Sequence, residues 1–343
     1  MQNLLGMTIE ELKLFAEEAG EKPFRGKQLF VWLNRGVRNI DEMTDLPKAF
    51  REKLKGILEE GSYRIGGCEV IDVQKDSKDG TGKFLFSCNG DAVESVFMKY
   101  KYGNSLCVSS QVGCKMGCTF CASALGGFVR NLDAGEMLGQ VLAAEKATGE
   151  TINHIVVMGM GEPFDNYDNV ARFLRLLHSS DGKNMSYRNM TVSTSGIVPG
   201  INRFAEDFPQ VNLAISLHRA DDEGRSRIMP VNRKYPVKDL MKAAGEYTEK
   251  THRRITFEYT LIEGENDSNR DIRLLQELLK GMLCHVNLIP LNPVEETGMR
   301  GSAQARAGEI AATLESSGIP ATVRRQLGSE IDGACGQLRL KHL

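Results

Sequence analysis

The hydrophobic positions follow one pattern near the start of the chain and others further along, and each predicts a different kind of structure. Over the first 60 residues the spacing is helical: Leu46, Phe50, Leu54 and Leu58 recur every fourth position and lay one apolar stripe along a helix. Thr8 and Glu11 have the spacing of a capping box, and Gly20 stands where a first helix would stop. This predicts a small helical unit. From about Ser62 to Tyr100 the pattern becomes that of strands. EVIDVQ, KFLFSC and AVESVFM are separated by the turn-rich segments KDSKDGTG and NGD, a short antiparallel extension.

From about Ser105 onward, short β-rich runs alternate with helical stretches. The runs are LCVSSQ, HIVVMGM, NMTVSTS, VNLAISLH, RITFEYTLI and HVNLIPLN; helices are expected between them, for example over Ala134 to Thr148 and Asp267 to Leu279. Six βα units imply a parallel sheet with right-handed crossovers, two units short of a closed barrel. The expected fold is α/β: a partial, open (β/α)6 barrel over 101–318, preceded by a helical domain (1–60) and the β extension (61–100), and followed by a C-terminal strand and tail (319–343). In such folds chemistry gathers at the C-terminal ends of the strands. Those ends carry Cys114 to Cys121, GMGEP, STSG, SLH and IPLNP.

Composition narrows the setting. A chain of 343 residues with 41% hydrophobic content can bury roughly three quarters of its unfolded surface. No run approaches the roughly 20 apolar residues of a bilayer span, and MQNLLGMTIEELKLF lacks the charged and apolar regions of a signal peptide, so no membrane association and a cytoplasmic location are expected. The net charge of -2 argues against a uniformly basic coat, although the sequence offers candidate local patches: Arg225, Arg227, Arg233 and Lys234; His252, Arg253 and Arg254; and Arg324, Arg325, Arg339 and Lys341. Taken singly, each reads as a solvated face.

Eight cysteines in a chain this long do not form a secreted disulfide scaffold, and three of them fall within eight positions. GCKMGCTFCAS spaces Cys114, Cys118 and Cys121 as C-x3-C-x2-C, in a loop after the first barrel strand. Three thiolates can ligate three irons of a [4Fe-4S] cube and leave the fourth iron open for an exogenous ligand. In radical enzymes that open iron chelates S-adenosylmethionine (SAM), which is then cleaved reductively to a 5'-deoxyadenosyl radical. Structural zinc, as in a zinc-stabilised RNA-binding module, is the alternative use of clustered thiols. Zinc normally takes four ligands in paired arrangements, and no second C-x2-C or H-x3-H lies nearby.

About 40 residues on, GMGEP offers backbone amides for close approach to a ligand and a Glu162 carboxylate able to pair with the amino group of SAM; alone, it would read as a glycine turn. Ser193, Ser216 to His218, and Asn292 sit at later strand ends, where they could hold SAM or simply cap turns. Cys68, Cys88 and Cys284 lie in apolar strand patterns and read as small buried hydrophobes. Cys107 lies on the first barrel strand, and Cys335 stands between Gly333 and Gly336 near the C-terminus, where movement is permitted. Spacing alone leaves open whether these two thiols act together.

Taken in order, CVSSQVGCKMGCTFCAS, GMGEPFDN, TVSTSG, AISLH, SRIMPVNR, VNLIPLNP and IDGACGQL resemble the RlmN/Cfr family of radical-SAM RNA methyltransferases. The resemblance runs from EKPFRGKQLFVWL to the last ten residues, essentially the whole chain. It implies methylation of C2 of an adenosine in the peptidyl-transferase centre of 23S rRNA and of the adenosine 3' to the anticodon in tRNAs. Cfr-type methylation, at C8 of the same ribosomal adenosine, is the alternative. GMGEP with proline and the full helical N-terminal domain look more like the RlmN branch.

The family's site residues carry over at every position. Cys335 resembles the cysteine that first accepts a methyl group, Cys107 the partner that resolves the covalent adduct through a transient disulfide, and Glu94 the proposed proton acceptor. Gly161, Glu162, Ser193, Ser216, Leu217, His218 and Asn292 match SAM contacts, and Cys114, Cys118 and Cys121 the cluster ligands. The resemblance further implies two SAM per turnover, RNA contact by the N-terminal domain, an electron donor such as flavodoxin or ferredoxin, and a monomer. The chemistry is coherent: C2 of adenine is electron-poor and cannot displace a methyl from SAM by polar attack, so a carbon radical has to add to it.

Overall fold

The computed structural model describes residues 1–292, 297–325, 331 and 338. A short parallel pair, β1 (Gln2–Asn3) and β2 (Tyr63–Arg64), brackets three helices: α1 (Ile9–Glu18), α2 (Phe24–Asn34) and α3 (Lys48–Glu59). The capping box is formed. Thr8 Oγ1 accepts from the Glu11 N–H at 3.3 Å, and the Thr8 N–H donates to the Glu11 carboxylate at 2.8 Å. Phe50 and Leu54 of the apolar stripe are buried in the core.

The extension is a meander of β3 (Cys68–Lys75), β4 (Gly82–Cys88) and β5 (Asp91–Tyr100), and β5 pairs antiparallel with β6 (Gly103–Cys107), the first barrel strand. A small antiparallel pair, β7 (Gln111–Gly113) and β8 (Phe128–Asn131), then brackets the thiol loop and the one-turn helix α4 (Ala122–Leu125). The βα alternation follows: α5 (Ala134–Thr148), β9 (His154–Val157), α6 (Tyr167–His178), β10 (Met190–Thr194), α7 (Val198–Asp207), β11 (Asn212–Ser216), α8 (Asp222–Ile228), α9 (Val237–Thr251), β12 (Ile255–Leu261), α10 (Asn269–Leu279), β13 (Cys284–Pro290), α11 (Gln304–Ser316) and β14 (Ala321–Val323).

All six expected barrel strands are present and mutually parallel, and β14 adds a seventh beside β13. One sheet of ten strands results, in the order β14-β13-β12-β11-β10-β9-β6-β5-β4-β3. Its edges, β14 and β3, do not meet among the described residues, so the barrel is open. The extension is therefore continuous with the barrel wall. The helical unit docks on α5 by close backbone approach: a Cβ at Gly135 would stand 2.7 Å from the backbone nitrogen of Gly6, so only glycine fits there. No helix among the described residues is long and apolar enough to cross a membrane.

Cys68 and Cys88 are not the separate buried hydrophobes the sequence suggests. They face each other across β3 and β4 with Cα atoms 4.5 Å apart and are joined as a disulfide. The cause is a one-residue register shift between Val70 and Asp72. Without that bulge, the register of the rest of the hairpin would set Cys68 opposite Asn89. Cys284 is a free buried thiol, as expected.

Candidate active site

Cys114 follows β7 directly, and Cys121 is the residue that precedes α4. All three clustered cysteines are free thiols at intermediate exposure. Their loop is held by backbone bonds: Cys114 N–H to Gly127 O at 3.1 Å, Cys121 N–H to Cys118 O at 3.2 Å, and Thr119 N–H to Ile228 O at the end of α8 at 3.0 Å. Burial pushes the Cys114 thiol up to about 12, with the Cys121 thiol and the Glu162 carboxylate adding repulsion. Cys118 is raised by burial and by both of its neighbours, and Cys121 by burial. Thiols in one shared neighbourhood become thiolates together only when a cationic core supplies the missing charge. Backbone N–H groups of Met116, and of Ser123 and Ala124, point at the Cys114 and Cys121 sulfurs. This soft donor set fits an iron–sulfur cluster. Among the described residues, no group of three or more His, Cys, Asp or Glu side chains could hold a metal ion by itself.

The strand ends beyond the thiols are knitted around Glu162. Its buried carboxylate accepts from Phe164 N–H at 3.0 Å, Thr194 Oγ1 at 2.8 Å and Ser195 N–H at 2.7 Å, while its own N–H donates to Gln111 Oε1 at 2.8 Å. Burial raises its pKa against these bonds. Gly161 has φ +103°, and a Cβ there would stand 2.6 Å from Gln111 Cβ. The glycine is thus what lets the GMGEP turn close over Gln111. His218, also left-handed at φ +56°, is buried; its Nδ1 accepts from Thr260 N–H at 2.9 Å, and its ring meets Phe120 edge-on at 5.0 Å. Burial, with the Arg225 charge beside it, pulls its pKa down to about 3, so the imidazole is neutral and carries its proton on Nε2. Phe120 lies between Cys118 and Cys121, which places His218 against the thiol loop.

Two further predicted residues, Cys107 and Glu94, meet in a cavity of about 760 Å³ that also takes in Phe120, Cys121, Gly159 and Asn292. Register explains why. Lys83, Val96, Cys107 and Val156 lie opposite one another in a row across β4, β5, β6 and β9, so their side chains share one face. Glu94 is two residues from Val96 and joins that face. Burial pushes the Cys107 thiol up to about 11; Arg324, the Met158 backbone and Lys83 pull it back, and Glu94 adds to the rise. The remaining SAM candidates, Ser193, Ser216 and Leu217, stand at the ends of β10 and β11. Cys335, and with it any Cys107–Cys335 pairing, lies outside the described residues.

Comparison with known proteins places the whole chain. Residues 2–59 match the ribosomal RNA large subunit methyltransferase N-terminal domain, and residues 108–275 match the radical SAM superfamily. Over 345 residues, 100% of this chain and 98% of the relative, the sequence is 50% identical to a probable dual-specificity RNA methyltransferase RlmN of Clostridium perfringens. The chain belongs to the RlmN family. A second RlmN, from Alkaliphilus oremlandii, is 49% identical over 344 residues, 99% of this chain and 98% of that one. The crystal structure of a radical SAM methyltransferase from Sphaerobacter thermophilus superposes with a TM-score of 0.91 at 43% identity, covering 98% of this chain and 99% of that one. Family membership makes this a radical-SAM RNA methyltransferase, and the Cfr-type alternative is not favoured.

For this RlmN-family enzyme the structure adds residues that the sequence did not single out. Lys83 is buried and pairs with Glu94, Nζ to Oε2, at 3.0 Å. A lysine in KFLFSC reads as the polar end of a strand, and only the register turns it inward. Arg225, which the sequence places in a basic patch, is instead fully buried. Breaking the Lys83–Glu94 pair from one side leaves a buried charge. Lys83→Met should therefore cost about 3–5 kcal/mol of stability in urea unfolding. Lys83→Met combined with Glu94→Gln should recover part of that loss, and equal losses in the single and double variants would show that the pair carries no coupling.

Proposed function

We propose that this enzyme methylates C2 of one adenosine in 23S rRNA and of the adenosine 3' to the anticodon in tRNAs, working as a cytoplasmic monomer that uses two SAM per turnover and electrons from a flavodoxin- or ferredoxin-type donor. The observation that carries this reading is the shared cavity: Cys107, Glu94 and the cluster candidate Cys121 face one space large enough for a displaced nucleobase. Ile331, four residues before Cys335 in sequence, also lines it.

Cys114, Cys118 and Cys121 would hold the cluster, and Gly161, Glu162, Ser193, Ser216, Leu217, His218 and Asn292 would hold SAM. When bound, the cluster and SAM supply the one-electron chemistry: the carbon radical that joins C2 and the sink for the electron left over. The chain's own residues do the rest. The Cys335 thiolate displaces a methyl group from the first SAM and carries it as a thioether. Once the Cys335-bound carbon is joined to C2, Glu94 takes the C2 proton. The Cys107 thiolate then attacks Cys335 sulfur: an S–S bond forms, the S–C bond breaks, its electron pair goes to the departing carbon, and a proton completes the methyl group. Reduction of the disulfide by an external thiol resets the pair.

The decisive experiment incubates reconstituted protein with unmodified rRNA and tRNA fragments, methyl-deuterated SAM and a reductant, and locates the label. Deuterium on the C2 methyl of both RNAs is expected, whereas label on C8 would assign the Cfr-type reaction. RNA binding should rest on phosphate contacts. Arg300, Arg324 and Arg325 line the same cavity, and Arg300→Ala should weaken binding without changing sequence preference and reduce the slope of log K against log salt by about 1.

A further inference from the structure

Arg225 is the largest fully buried side chain in the protein as described. Its guanidinium spans the ends of two barrel strands and the turn beyond: Nε donates to Leu217 O at 3.1 Å, Nη2 to Ser216 O at 3.0 Å and to Ser195 O at 2.6 Å, and Nη1 to Asn232 Oδ1 at 2.9 Å. All four partners are uncharged. Among the described residues no carboxylate lies within ion-pairing distance of it, although burying a lone cation is costly. Asp222, an acid three residues earlier on the same helix, is occupied by Asn232 Nδ2 at 2.9 Å and Val237 N–H at 2.7 Å.

The helix that carries Arg225 and the turn just after it border the thiol loop on either side of Cys118. Thr119 N–H donates to Ile228 O at 3.0 Å, and a Cβ at Gly117 would stand 3.6 Å from Pro230 Cγ. Once ionised, Cys118 would be a favourable charge partner for Arg225, as Asp222 is. A buried positive charge is thus carried by the helix that hydrogen-bonds the residue next to the middle cysteine of C-x3-C-x2-C.

We propose that Arg225 is a positioning residue with two effects: its fork fixes the Ser195, Ser216 and Leu217 carbonyls at the SAM-facing strand ends, and its charge raises the reduction potential of the cluster bound through Cys118. The inference rests on the reading of Cys114, Cys118 and Cys121 as cluster ligands. Reduction adds one negative charge to an already anionic cluster–thiolate unit, and a nearby cation in a poorly polarisable interior favours that state. A lysine in the same place would keep the charge but not the planar fork.

The test is an EPR-monitored redox titration of anaerobically reconstituted full-length protein, with SAM affinity measured by equilibrium dialysis. Arg225→Gln should move the midpoint to more negative potential. Arg225→Lys should keep the midpoint near that of the unaltered protein while weakening SAM binding at least about tenfold, since one ammonium cannot span three carbonyls. Asp222→Asn, which keeps the acceptor oxygen but removes the opposing charge, should move the midpoint the other way and serves if the glutamine variant does not fold. A full iron complement with an unchanged midpoint in either Arg225→Gln or Asp222→Asn overturns the electrostatic role, and unchanged SAM affinity in Arg225→Lys overturns the positioning role. Unaltered protein that takes up no iron would instead remove the cluster reading, and this inference with it.

Discussion

Cys107→Ala protein, given RNA, SAM and reductant, should stop after one encounter with RNA covalently bound through Cys335. The alanine leaves the cluster loop, Glu162 and the strand ends untouched, so everything up to carbon–carbon bond formation should proceed. What is missing is the proposed nucleophile for Cys335 sulfur, Cys107; the other described cysteine lining the cavity, Cys121, is a candidate cluster ligand. The adduct should survive denaturation, migrate as a protein–RNA species on gels and carry the methylene carbon on C2 by mass mapping. Normal turnover by this variant would remove Cys107 from the resolving role. In the unaltered enzyme the same step has a pH signature. The Cys107 thiol sits at about 11 and is protonated at neutral pH, so adduct resolution should quicken as pH rises toward that value, by up to about tenfold per pH unit.

Cys118→Ala should abolish the radical chemistry altogether. The proposed ligand set, three thiols for three irons, has no spare member, so iron content after anaerobic reconstitution should fall from about four per chain toward zero. Formation of 5'-deoxyadenosine should vanish with it. The fold should persist, because Cys118 is not in the hydrophobic core and the loop keeps its backbone bonds to Gly127 and Ile228. Circular dichroism and urea unfolding close to those of the unaltered protein would separate loss of the cluster from loss of structure. Retained iron together with retained SAM cleavage would sink the ligand assignment.

Much of the fold was legible because its signals are local. The Thr8–Glu11 box, the four-residue stripe through Phe50 and Leu54, and the six β-rich runs each declare an element without reference to the rest of the chain. Helix α5 covers the expected span, Ala134–Thr148, since Asp133 and Glu136 cap its start and Gly149 ends it in the left-handed conformation. Helix α10 begins two residues later than the apolar pattern suggests, because Ser268 caps it.

What escaped the sequence depends on register and on distant partners. Lys83 faces the cavity only because β4, β5, β6 and β9 align in one row. The Cys68–Cys88 bond depends on a single bulge. Arg225 looks like part of a basic run with Arg227 and Arg233, and only the tertiary arrangement shows it bonded to three strand-end carbonyls. The candidate site residues came from the family resemblance, and sequence held no hint that Glu162 already accepts from Thr194, Ser195 and Phe164, or that His218 rests on Phe120.

The cross-strand Cys68–Cys88 bond bears on how any catalytic disulfide could be observed. Both sulfurs are shut away from solvent, so a reductant should open the bond, and an alkylating reagent then cap the two thiols, only after unfolding, whereas Cys107 opens onto a cavity. Counting free thiols in unfolded protein, or weighing the intact chain for the loss of two hydrogens, would therefore register a bond that exists before any substrate is added. Peptide mapping that assigns each linkage separately is the measurement that can tell a resting crosslink from one made during turnover.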